Sequence, residues 1–182
     1  MAKMKTRASK STIKKRPATR KSNADVSHPL EGKNAPAFEL PTAGGKTASL
    51  SDLTRGRNLV LYFYPKDMTP GCTIEACDFR DGLARIRSAG AEVAGISGDS
   101  TESHRKFADR HSLNFTLLSD VGNSVAKRYG VYKEKSMYGR KFMGIVRTTF
   151  LIDKNGSVRK VFPKVKVAGH TDEVIAALKE MR

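Results

Sequence analysis

One stretch limits what this chain can become more than any other. Asn58–Tyr64 (Asn-Leu-Val-Leu-Tyr-Phe-Tyr) is an almost unbroken run of apolar β-formers, halted by Pro65. A strand wetted on one side alternates polar and apolar residues. A continuous run is buried on both faces, so this segment belongs in the middle of a sheet with covering layers above and below. Thr69-Pro70 follows closely. Threonine caps helices well and proline suits the first helical position, so a helix is expected from there to about Ala89, before Gly90. Phe79, Leu83 and Ile86 lie at i, i+4 and i+7 and supply its buried stripe.

The remaining pattern repeats the theme. Strand Glu92–Ser97, helix Thr101–His111, strand Phe115–Leu118 and helix Ser124–Tyr129 come next, then a loop rich in Lys, Gly and Met over Lys133–Gly144. A strand over Ile145–Ile152 turns at Asp153–Gly156 into a strand over Ser157–Phe162, and a last helix spans Asp172–Met181 behind a Thr171 cap. Upstream, Ala37–Leu40 alternates and stops at Pro41, a Gly44-Gly45 turn leads to a second short alternation ending at Leu50, and Ser51-Asp52-Leu53 opens a helical turn. Strands alternating with helices, then a hairpin and a helix, indicate an α/β fold with a central mixed sheet flanked by helices. At 182 residues the chain suits one domain, assigned to residues 28–182.

Residues 1–27 are of another kind. They hold nine Lys or Arg against the single acid Asp25, which is half of the formal net charge of +16. With no aromatic residue and only Ile13 and Val26 as β-branched aliphatics, this tail cannot offset the entropy of ordering, and it is expected to be disordered. Its charge suits a solvated extension, a sequence-independent polyanion contact, or, in a nucleated cell, an import signal at Lys14-Lys15-Arg16-Pro17 with Arg20-Lys21. No apolar secretion segment and no run of membrane-spanning length is visible, so the reading is cytoplasmic.

Only two cysteines occur, Cys72 and Cys77. So few, without a secretion signal, argue for a reduced compartment and a chemical role rather than a disulfide scaffold. Cys72 falls at the third position of the helix that Thr69 caps. There the unpaired backbone N–H groups and the macrodipole favour an anion, and the thiolate is the nucleophilic form of cysteine. Cys77 is five residues on. In an ideal helix the two Cα atoms would be roughly 8–9 Å apart, whereas a disulfide needs less than about 7 Å. If the two thiols react with each other, the first turns must unwind. The bland alternative is that both are small buried hydrophobes. C-x4-C is not a usual zinc spacing, the histidines are scattered, and the C-x-x-C of a dithiol reductase is absent.

Beyond spacing, Pro65-x3-Thr69-x2-Cys72 resembles the peroxiredoxin signature. The longer run Thr69-Pro70-Gly71-Cys72-Thr73-x-Glu75-x-Cys77-x-Phe79-Arg80-Asp81 resembles the bacterioferritin comigratory protein or Q-type branch, and Arg147-Thr148-Thr149-Phe150-Leu151-Ile152-Asp153 looks like the second family landmark. The similarity covers roughly residues 29–182. It implies a thioredoxin-like fold and a thiol peroxidase using neither metal nor other cofactor. Cys72 would attack hydrogen peroxide or an organic hydroperoxide and become a sulfenic acid, and Cys77 would resolve it as a disulfide. Thioredoxin or glutaredoxin would then reduce that bond. Thr69 would hydrogen-bond the thiolate and the peroxide through its hydroxyl, and Arg147 would stabilise the thiolate and polarise the O–O bond. The N–H groups of Gly71 and Cys72 would complete the cradle, and Pro65 would shield the sulfur from water. Glu75 and Arg80 are assigned to the helix surface or to packing, and the histidines receive no role. The branch implies a monomer. Two readings from other classes stand beside this one: a redox sensor switched by the disulfide, and a nucleic-acid-associated protein acting through its tail.

Overall fold

The computed structural model describes residues 27–181, so the basic tail, up to residue 26, lies outside the described residues. The continuous apolar run is β3 (Asn58–Phe63), and its neighbours explain its composition. β3 runs parallel to β4 (Ala91–Ser97) on one side and antiparallel to β8 (Thr148–Ile152) on the other. With β5 (Thr116–Ser119) and β9 (Val158–Pro163) at the edges, the order is β5-β4-β3-β8-β9, a mixed sheet.

Alternate residues of the strands feed two separate cores. Val60, Tyr62, Val93, Leu117 and Leu151 join Phe79, Leu83 and Ile86 of α2 (Pro70–Ser88), Phe107 of α3 (Thr101–His111), and Val174, Ile175 and Leu178 of α5 (His170–Glu180). Leu59, Leu61, Phe63, Ile96, Leu118, Phe150 and Ile152 face the other way. They meet Val125 and Ala126 of α4 (Ser124–Arg128), Tyr129, and the N-terminal Phe38, Leu40 and Leu50. Phe38 leads into, and Leu40 and Leu50 belong to, a unit made of a small antiparallel pair, β1 (Glu39–Pro41) and β2 (Thr47–Ser49), with α1 (Leu50–Leu53), where Ser49 and Asp52 form a capping box. This is the expected sheet between helical layers, the thioredoxin-like arrangement. No helix among the described residues is long and apolar enough to cross a membrane.

Three expectations need correction. The Lys133–Gly144 loop is mostly a β-hairpin, β6 (Tyr132–Met137) and β7 (Arg140–Ile145), turning at Tyr138-Gly139. Both turn residues have positive φ, +51° and +75°, as tight hairpins demand. The ribbon is wet on both sides, so it lacks the apolar alternation that marks a half-buried strand. The strand expected over Ile145–Ile152 is broken at Val146-Arg147. Val146 N–H donates to Val131 and the Arg147 carbonyl accepts from Val165, which draws both residues out of the main ladder. The final helix starts at His170 behind Gly169 rather than behind Thr171, because the Gly169 carbonyl accepts from Glu173 N–H at 3.2 Å and so begins the helical ladder; the buried His170 ring lies 2.9 Å from Thr149 Oγ1.

Close packing between β3 and β4 offers a test. Gly95 faces Tyr62 in register, and a Cβ there would lie 2.7 Å from the Tyr62 ring. Gly95→Ala should cost about 1–3 kcal/mol through overpacking. Urea unfolding should show a lowered midpoint with an unchanged m-value.

Candidate active site

The β3–α2 junction brings the sequence-selected residues together at the carboxyl end of the central strand. Pro65 ends the strand's run and is exposed, at the start of the loop that leads to Thr69 and Cys72. Thr69 occupies the N-cap position in extended conformation, but its side chain does not cap the helix. Its hydroxyl instead donates to the Lys66 carbonyl at 3.0 Å. A hydroxyl whose proton is so committed can still accept a hydrogen bond, so it can meet the O–H of an incoming peroxide.

Cys72 is only 1 % exposed and packs in the cluster that includes Val60, Tyr62, Tyr64, Ala76 and Phe79. Its Sγ accepts a hydrogen bond from Arg147 Nη2 at 3.2 Å across 75 residues of chain. The Arg147 backbone is fixed by the bond from Val165, at the break between β7 and β8. Gly71 lies beside the same guanidinium, where an added Cβ would come within 3.3 Å of Nη2. A larger residue there would press on the charge that faces the sulfur.

Of the two roles expected for Glu75, helix surface or packing, the surface one does not hold. The residue is 1 % exposed, and its Oε2 accepts from Arg147 Nη1 in a buried ion pair. Cys72 and Glu75 are separated by three residues and therefore share one helix face, so a single guanidinium reaches both. Burial pushes the Glu75 carboxyl up to about 7, although the charge and hydrogen bond of Arg147 pull it down. For Arg147 itself, burial works against the charge, but Glu75 and Cys72 outweigh it and raise its pKa. Arg80 keeps a packing role, donating to the His111 carbonyl at 2.6 Å and to Asp81.

Both cysteines are free, and they share the uninterrupted α2; Cys77 is half-buried. The first turn of this helix carries no acidic residue and no side-chain cap. No group of three or more His, Cys, Asp or Glu among the described residues is arranged to hold a metal ion.

Sequence reading missed a second buried cluster next to this one. Asp67, inside the β3–α2 loop, accepts from Tyr64 Oη at 2.7 Å and from Ser103 Oγ at 2.7 Å, and lies 2.9 Å from His104 Nδ1. An acid and a histidine 37 positions apart with no motif between them give no signal before the fold is known.

Comparisons with known proteins point to one family. Residues 32–161 match the AhpC/TSA family. Peroxiredoxin Bcp of Bacillus subtilis is 49% identical over 150 residues, covering 82% of this chain and 95% of that protein. The bacterioferritin comigratory protein of Xanthomonas campestris has been solved in trapped intermediate and ligand complexes bearing on its alkyl peroxide reduction activity. It aligns with a TM-score of 0.75 at 44% identity, covering 79% of this chain and 91% of that one. Peroxidoxin BcpB of Mycobacterium tuberculosis aligns with a TM-score of 0.76 at 37% identity, covering 84% and 98%. A buried cysteine at a helix start, faced by an arginine from a distant strand end, thus sits in a chain that belongs to the AhpC/TSA family, as a peroxiredoxin of the Bcp type.

Proposed function

We propose that Cys72 is the peroxidatic cysteine of this thiol peroxidase and Cys77 its resolving partner. The observation that carries the assignment is the 3.2 Å contact between Arg147 Nη2 and Cys72 Sγ at an otherwise apolar, buried position. A guanidinium cannot give up its proton at working pH, so it remains a donor and a positive charge beside the sulfur throughout the reaction. In the first step the thiolate attacks one peroxide oxygen. The S–O bond forms, the O–O bond breaks, and the departing oxygen leaves as water or an alcohol after taking a proton. Arg147 and the N–H groups of Gly71 and Cys72 stabilise the charge that moves onto the departing oxygen, and Thr69 accepts from the peroxide hydroxyl. In the second step the Cys77 thiol condenses with the sulfenic acid, expelling water and forming the disulfide. A dithiol protein of the thioredoxin or glutaredoxin kind then exchanges with that disulfide. Hydrogen peroxide and organic hydroperoxides are both small enough to be reduced. The chain works as a monomer in the cytoplasm, with residues 28–182 as its domain and the basic tail as a weak polyanion contact.

Cys72→Ser tests the central assignment. A serine hydroxyl is not ionised near neutrality and should abolish peroxide consumption in an assay coupled to thioredoxin. Turnover at the wild-type rate would overturn it.

Glu75 gives a pH test. Its carboxyl is raised from 4.5 to about 7, chiefly by burial, so the native state keeps a proton that the unfolded chain gives up between those values. Stability contributed by this group therefore falls as pH rises through that window. Glu75→Gln has no proton to lose, and urea midpoints on either side of the window should show the fall flattened.

Disulfide formation gives a third. The intact α2 holds its two thiols too far apart for a disulfide, so oxidation should unwind its first turns. Hydrogen exchange over residues 69–81 should be faster in the oxidised protein. Equal protection, with the Cys72–Cys77 disulfide confirmed by mass, would refute the unwinding.

A further inference from the structure

The peroxide site accounts for Arg147, Glu75 and the helix start, but not for the buried polar cluster on the other side of the β3–α2 loop. Asp67 is 4 % exposed and His104 is 0 % exposed. The Asp67 carboxylate takes hydrogen bonds from Tyr64 Oη and Ser103 Oγ, each at 2.7 Å, and faces His104 Nδ1 at 2.9 Å. The far nitrogen of His104 lies 3.1 Å from the Leu118 carbonyl on β5. A carbonyl only accepts, so Nε2 carries a hydrogen there. The Asp67 backbone N–H donates to Asp99 Oδ2 at 2.9 Å, and the same oxygen accepts from Ser97 Oγ at 2.7 Å. Burial pushes the Asp67 carboxyl up, but the bonds from His104, Tyr64 and Ser103 outweigh it and hold it below the usual range.

This network joins one loop residue to the ends of β3, β4 and β5 and to the first turn of α3. Polar groups taken out of water are costly unless fully partnered, and a fully partnered set fixes its members in one arrangement. The anchored residue sits two positions before Thr69 and five before Cys72. Between them is Met68, exposed and held at φ +60°, a conformation that methionine rarely adopts. The anchored residue thus directly precedes Met68 and the segment that would have to open for Cys72 and Cys77 to meet.

We propose that Asp67 and His104 are positioning residues for the peroxidase reaction: they anchor the fixed end of a hinge whose moving part carries Thr69 and Cys72. The proposal rests on Cys72 being the peroxidatic cysteine. Without the anchor, the Thr69 hydroxyl and the Cys72 thiolate would sample several relative positions, and attack on an O–O bond depends steeply on alignment. Alkylation by a small reagent needs the thiolate but not that alignment, so the two reactions separate positioning from general damage.

The test is stopped-flow oxidation of the reduced protein by hydrogen peroxide, beside alkylation of Cys72 by iodoacetamide followed by mass. Asp67→Ala should slow oxidation about tenfold while alkylation stays within about twofold. Asp67→Asn, which preserves shape and an oxygen acceptor, should recover most of the rate. Asp67→Ala combined with His104→Gln should be no slower than the worse single variant, because both break one unit. Should Asp67→Ala fail to fold, Ser103→Ala removes one donor from a half-buried position and should slow oxidation about threefold. Oxidation at the parent rate in the folded variants, or oxidation and alkylation falling in parallel, would overturn the anchor. A parent protein that does not react with peroxide would instead overturn the peroxidase reading.

Discussion

A single guanidinium holds the site together. Arg147 comes from the break between β7 and β8, enters the start of α2, and spends one nitrogen on Cys72 and the other on Glu75. Buried charge is tolerable only when it is paired, and the pairing here makes the second anion useful. Glu75 fixes the orientation of the fork, so that its remaining edge meets the sulfur without relying on water. Much of the surrounding sequence serves that geometry. Gly71 leaves room for the guanidinium, Val165 holds the arginine backbone, and the apolar face of α2 seats the helix on β3 and β4.

The legible part of the sequence was the part governed by local rules. The six-residue apolar run Leu59–Tyr64 could only be an interior strand, and Thr69-Pro70 could only be a good helix start. Cys72 and Arg147 stood out through motifs that carry their chemistry in fixed spacing. What stayed hidden depended on tertiary context. Glu75 falls on the same helical face as Phe79, Leu83 and Ile86, but a carboxylate there has no visible reason until a cation 72 positions away is placed beside it. The β6–β7 ribbon has polar and apolar residues on both faces, so no period of two was there to find. His170 was one of several scattered histidines until Thr149 and two phenylalanine rings closed around it.

Thr69 shows why a motif names a residue more reliably than its contact. As a helix cap it would spend its oxygen on a backbone N–H of the first turn. In the reduced structure it turns back on the Lys66 carbonyl and leaves that turn uncapped. An uncapped first turn is a poor way to stabilise a helix, and helix propensity alone offers no reason for it. The choice suits the proposed cycle, in which this turn unwinds when the disulfide forms.

The burial of Cys72 acts as a size filter. With the sulfur 1 % exposed beneath the start of α2, only a slender oxidant can approach it along the line an S–O bond requires. A bulky disulfide has no such approach, so the reduced protein is spared stray exchange with the thiol pool around it. In the proposed cycle that protection is conditional: opening of the helix would present the same sulfur to macromolecules. Small oxidants and large reductants would then be admitted at different times through a single doorway.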